Sequence, residues 1–167
     1  MNDNQLVQEW LERANDDELN ARSIFNHKDG TENAVCFLCQ QSTEKLLKAL
    51  LIFKNTEPPK VHDLLKLASL LEKSGVVLSE LIDDLTNLDK FYISTRYPGE
   101  YEKYSWVDAQ NALASLEKIK KLVENSISNE KQVPQNWFSG RGSHFRKVKL
   151  FAANKEIFLV DTFGGAW

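Results

Sequence analysis

Cys36-Phe37-Leu38-Cys39-Gln40-Gln41-Ser42-Thr43-Glu44-Lys45-Leu46-Leu47-Lys48-Ala49-Leu50-Leu51 is the stretch that decides how this chain folds. It lies inside a longer helical pattern from Thr31 to Asn55. At ~100° per residue, Cys39, Leu46, Ala49, Leu50 and Phe53 share one side, while Ala34, Phe37, Leu38, Leu51 and Ile52 populate the other. A helix apolar on two sides belongs at the buried centre of a bundle. Three polar side chains interrupt the second side: Gln41, Glu44 and Lys48, within roughly 60° of one another. Lys45 falls at the margin or in solvent.

Working outward, the apolar spacing predicts four more helices. The first covers about Asn4 to Asn26, with Val7, Trp10, Leu11, Ala14, Ala21 and Phe25 on one stripe and Gly30 as a left-handed cap. Pro58-Pro59 enforces a break after the central helix. A third helix is expected from His62 to Lys73, with Leu64, Leu65, Ala68 and Leu71 inward and Gly75 closing it. The fourth runs from about Ser79 to Thr95, with Leu81, Leu85, Leu88 and Tyr92 inward, and Pro98 prevents its continuation. The fifth runs from about Ser105 to Ser126, carried by Ala109, Ala112, Leu113, Leu116, Ile119 and Val123. Short connections between long helices indicate an all-α fold, an antiparallel up-and-down bundle of about five helices. Residues 1–130 form that bundle in this reading. Residues 131–167 differ in kind, holding four of the seven glycines and two β-like runs, Lys147–Ala152 and Glu156–Phe163. They are expected as a short C-terminal β-hairpin or a disordered tail.

A length of 167 residues suits one domain with a short appendage, and 42% hydrophobic with 27% charged residues is ordinary globular composition. The net charge of −3 is uneven: residues 1–130 carry 15 Lys+Arg against 22 Asp+Glu, and residues 131–167 carry 6 against 2. An acidic body argues against a broad nucleic-acid surface, which needs clustered positive charge, and leaves room for a local phosphate pocket. No basic-then-apolar N-terminal segment reads as a signal peptide, and no run of about 18 apolar residues reads as a membrane span. Cys36 and Cys39 form a C-x-x-C inside a helical pattern. They lack the strand-loop-helix setting of a redox pair and a second ligand pair for zinc, so they are expected as core in a reducing cytoplasm.

Three groups stand out as candidate ligand contacts. Gln41, Glu44 and Lys48 are either a surface stripe tied by a Glu44–Lys48 pair or a polar cluster at a cleft, with Asp17 or Glu18 as further partners for the lysine. His62 sits at a helix start, where it makes a local hydrogen bond or, with the helix N-terminus, meets an anion. Arg96-Tyr97-Pro98 forms a turn that aims a guanidinium and an aromatic ring together, for phosphate and base respectively, unless Arg96 ties an acidic residue. No catalytic set, metal site or cofactor motif emerges.

The quoted helix, then Lys60-Val61-His62-Asp63-Leu64, then Thr95-Arg96-Tyr97-Pro98-Gly99, together resemble the HEPN domain family. The resemblance spans about residues 4–126, includes the Ala14-x-x-Asp17-x-x-x-Ala21 spacing, and excludes the tail. It implies a helical bundle, often a homodimer, that works beside a minimal nucleotidyltransferase, in some cases as a toxin–antitoxin pair. It also implies binding of a nucleotide or RNA, and the lack of an apolar span gives no expectation of a membrane partner. Ribonuclease members carry Arg-x(4–6)-His late in the domain, and Arg96 has no such histidine. Arg22 and His27 match the spacing at the end of the first helix, where the match reads as accidental. The expectation is therefore a nucleotide-, RNA- or partner-binding module that is not an enzyme on its own. A divergent metal-independent ribonuclease using Arg96 with His62 or His144, and a purely structural dimerisation protein, are the alternatives. Val61 stands where the family commonly has threonine, so Asp63 or the backbone must cap the third helix.

Overall fold

The computed structural model describes residues 3–94 and 103–131, with side chains placed for 3–92 and 103–128. These residues form α1 (Asp3–His27), α2 (Glu32–Phe53), α3 (Leu64–Lys73), a 3-10 turn (Ser79–Leu81), α4 (Ile82–Ser94) and α5 (Trp106–Lys131). The architecture is the antiparallel helical bundle expected, with no strand among the described residues. α2 is its axis and packs against α1, α5, α4 and α3. Both of its apolar sides are covered: Cys39, Leu46, Ala49 and Leu50 on one, Leu51 and Ile52 on the other. The hairpin or tail expected after α5 lies outside the described residues.

Local chemistry explains where the helices stop. Thr31 caps α2 by accepting from the Ala34 amide at 3.2 Å. At the other end Asn55 adopts a left-handed conformation (φ 56°), and the Thr56 amide reaches back to Leu51 O at 2.9 Å. Gly75 (φ 91°) ends α3 in the same way, with the Val76 amide on Leu71 O at 3.0 Å and Val76 buried beneath. Gly30, by contrast, is not the left-handed cap of α1. Lys28 takes that conformation (φ 55°) and bonds Ile24 O at 2.9 Å. Gly30 is needed for proximity, since a Cβ there would sit 2.9 Å from the Ile24 side chain.

Two further expectations need correction. α3 starts at Leu64 instead of His62, because the Asp63 side chain accepts from the Lys66 amide at 2.8 Å and fixes the first turn. Its buried face is Leu64, Leu67, Ala68 and Leu71, the i, i+3, i+4, i+7 set, and Leu65 points outward.

Polar ties lock the helices in register. Ser42 donates to Ala14 O at 2.8 Å, which requires the close α1–α2 approach that Ala14 permits. Buried Glu18 of α1 accepts from Arg22 at 2.8 Å and from Lys120 of α5 at 2.7 Å. Burial pushes the Glu18 carboxyl up, yet the hydrogen bonds from Lys120 and Arg22, with their charges, outweigh it and hold the group below the ordinary glutamate range. Lys28 lies over the Phe25 and Trp106 rings at 3.7 and 3.6 Å, joining the end of α1 to the start of α5. Cys36 and Cys39 are free and fully buried. Burial, with a smaller push from Asp108, raises the Cys36 thiol to about 12, and burial raises Cys39 further, so both are neutral core side chains. No helix among the described residues is long and apolar enough to cross a membrane.

Candidate functional site

One turn separates Glu44 from Lys48 on α2, and both are buried. Lys48 Nζ donates to Glu44 Oε1 at 2.7 Å and lies 5.6 Å from the centre of the Trp10 ring of α1. The connection after Pro58-Pro59 brings His62 onto the open side of the same carboxylate. Its Nδ1 is 3.2 Å from Oε1 and 3.1 Å from Oε2 of Glu44. The imidazole is stacked on Tyr92 of α4, with centroids 4.5 Å apart and planes 16° from parallel. Its backbone is held as well: Gln40, fully buried, donates to His62 O at 3.1 Å and accepts from Gln41 at 2.6 Å. The result is a half-exposed imidazole fixed at the ring, the carboxylate and the main chain.

The structure therefore brings Glu44, Lys48 and His62 together and connects Gln41 to them through Gln40. Arg96 and Tyr97 lie outside the described residues. The additional partners expected for Lys48 belong elsewhere. Asp17 pairs with Lys45, which is thus half-buried, and Glu18 serves Arg22 and Lys120. At the helix N-terminus beside His62 two of the first-turn amides are already engaged. Asp63 occupies the Lys66 amide, and Asp89 of α4 occupies the Leu64 amide at 2.7 Å. Burial raises the Asp89 carboxyl above its ordinary value, partly offset by that amide bond. Arg22 and His27 make no joint site, since Arg22 pairs with Glu18 and Glu117 while His27 Nδ1 donates to Ser23 O at 2.9 Å.

Three members of the cluster carry no site signal in the sequence. Trp10 and Tyr92 fit apolar stripes and read as core, and Gln40 has no periodic feature that separates it from Gln41. A cavity of about 280 Å³ lies elsewhere, between α4 and α5, lined by Asp84, Asn87, Lys90, Phe91 and Asn111 among others. Its Asp84 is already committed to Ser115 at 2.6 Å and Lys118 at 3.0 Å. Among the described residues no group of three or more His, Cys, Asp or Glu is arranged to hold a metal ion.

The lysine charge is neutralised by the carboxylate beside it, and the outward-facing chemistry is one oriented imidazole beside a stacked phenol ring.

The HEPN domain profile matches residues 7–126. TT1696 from Thermus thermophilus, known from a crystal structure, is 30% identical with a TM-score of 0.64, covering 71% of this chain and 96% of that one. The crystal structure of ST0689, described as an archaeal HEPN homologue, is 30% identical with a TM-score of 0.59, covering 72% of this chain and 97% of that one. No curated protein matches the sequence. With the profile spanning most of the sequence and a bundle shared with these structures, the chain belongs to the HEPN domain family.

Proposed function

We propose that this HEPN protein is a cytoplasmic accessory subunit, of the kind found in toxin–antitoxin pairs, that forms a homodimer, acts with a minimal nucleotidyltransferase and binds a nucleotide or an RNA end at the His62 corner. The observation that carries the binding role is the fixed imidazole: Glu44 holds Nδ1, Tyr92 stacks under the ring, and half of the side chain faces solvent. Support of this kind, a buried carboxylate on the ring and a buried glutamine on the main chain, is what holds a binding side chain in one orientation. Gln41, Glu44 and Lys48 act as the support, and His62 is the contact. Arg96 and Tyr97, on the segment that follows α4, supply a phosphate contact and a second stacking surface. Lys48, with its ammonium buried and paired with Glu44, serves in this reading to hold that carboxylate.

The acidic body fits a small ligand better than a long nucleic acid. Titrating the protein calorimetrically with ATP and with a short oligoadenylate tests the reading. Binding of either, weakened about tenfold or more by His62→Ala or Arg96→Ala without loss of the folded state, is expected. Absence of binding by both ligands overturns it. Co-expression with a minimal nucleotidyltransferase followed by co-purification tests the partnership separately.

A further inference from the structure

The hydrogen bonding of His62 fixes what chemistry its free edge can recognise. Glu44 is a carboxylate that already receives the Lys48 ammonium at 2.7 Å, so it offers acceptors alone to the imidazole. A neutral imidazole facing two carboxylate oxygens at 3.1 and 3.2 Å must therefore place its hydrogen on Nδ1. Nε2 then carries a lone pair. Among the described residues nothing donates to that nitrogen, and the side chain is about half exposed.

Resting on the nucleotide-binding reading, we infer that the His62 corner recognises a hydrogen-bond donor of the nucleoside, an exocyclic amine or a ribose hydroxyl, and not a phosphate oxygen. Nε2 accepts that donor, and the His62–Tyr92 stack offers a flat apolar edge beside it. The surrounding charge agrees. The charged group in contact with His62 is Glu44, with Lys48 behind it, from α2; Asp63, next in the chain, and Asp89 of α4 are engaged with the first-turn amides of α3. From α1, Trp10 lies over Lys48. The contact of His62 is thus with a carboxylate whose own lysine is buried behind it, a setting that suits a neutral donor.

The sign of the pH dependence separates the two chemistries. Once protonated, the imidazole donates from both nitrogens, so a donor-bearing ligand loses its acceptor whereas a phosphate gains a charged partner. The probe is the dinucleotide ApA, whose phosphodiester keeps one charge throughout the range. Its binding is measured by calorimetry from about pH 8 to about pH 5, the interval in which imidazoles titrate. ApA is expected to bind roughly three- to tenfold more weakly at the acid end, as loss of one hydrogen bond dictates, and the His62→Ala variant to show no such change. The deoxy analogue binding as weakly as ApA does to His62→Ala assigns the donor to the 2′-hydroxyl; the inosine analogue doing so assigns it to the amine. Binding that strengthens on acidification, that declines equally in His62→Ala, or that is indifferent to both analogues overturns the inference while leaving nucleotide binding intact. Failure of ApA, ATP and oligoadenylate alike to bind at any pH removes the reading beneath it.

Discussion

Glu18 and Glu44 are both buried carboxylates that receive a lysine, and they differ in how their environments close. At Glu18 each oxygen has its own donor, Arg22 on one and Lys120 on the other, and the two donors come from different helices. That tie pins α1 to α5 and leaves the carboxylate no further chemistry to perform. At Glu44 the lysine comes from the same helix one turn away, so the pair joins no two elements. The remaining contact goes to an imidazole that is half in water. Burial with a complete partner set is a structural device. Burial with one exposed, oriented partner is the arrangement from which a binding site can be made.

The sharpest way to break the comparison is to remove each carboxylate. Glu44→Ala leaves the Lys48 ammonium buried beside Trp10 with no counter-charge, which costs about 3–5 kcal/mol for a broken interior pair. Denaturant unfolding of the variant reads this directly. Replacing both members, Glu44→Met with Lys48→Met, restores most of the loss, because an apolar pair of similar volume needs no compensation. Equal destabilisation by the single and double variants would place the cost in packing instead of charge.

Glu18→Gln is expected to cost less, about 1–3 kcal/mol, although two Lys/Arg cations lose their counter-charge there instead of one. Lys120 and Arg22 retain 29% and 39% side-chain exposure and can turn to water, whereas Lys48 retains 9%. The tie also has a pH signature. The folded-state value of Glu18 is lowered, so its contribution is complete above the ordinary glutamate range and disappears as the pH falls through the folded value. The stability difference between wild type and Glu18→Gln, followed by urea unfolding from neutral to acid pH, is therefore expected to shrink on the acid side. A constant difference contradicts the assignment of Glu18 as a charged tie.

This pair also marks how far the sequence can be read. The central position of α2 is legible because apolar residues on both sides of a helix leave it no solvent face, and Cys36, Cys39, Leu50 and Leu51 are buried accordingly. The Glu44–Lys48 pair is legible from its i,i+4 spacing. The partners across helices are not. Asp17 and Glu18 are neighbours in sequence and lie ~100° apart on α1, so the α1–α2 and α1–α5 crossings decide that Lys45 meets the first and Lys120 the second. Leu65 and Leu67 exchange places for the same kind of reason, since a ten-residue helix with adjacent leucines allows two apolar phases until its cap is known. Tyr92 passes for core because its ring continues an apolar stripe, and its role emerges from the imidazole that covers it. His62 is marked by its place after the double proline, but its tautomer depends on a carboxylate 18 residues away.

Thr43 provides the smallest and most diagnostic effect, because it is a third kind of buried polar group, neither tied nor open. It follows Ser42, whose hydroxyl reaches Ala14 O, yet its own hydroxyl is buried with no hydrogen-bond partner. An orphaned hydroxyl carries its desolvation cost with nothing in return, and valine has nearly the same shape without that cost. Thr43→Val is expected to stabilise the bundle by about 1 kcal/mol, read as a higher denaturant midpoint with unchanged slope. The His62 corner, one residue further along α2 at Glu44, should be indifferent to this substitution, so ApA affinity stays at the wild-type value. Stabilisation with intact binding separates the energetics of the fold from those of the site. A loss of stability would instead mean that the Thr43 hydroxyl is satisfied in solution, and that α2 holds another polar contact next to the carboxylate that orients His62.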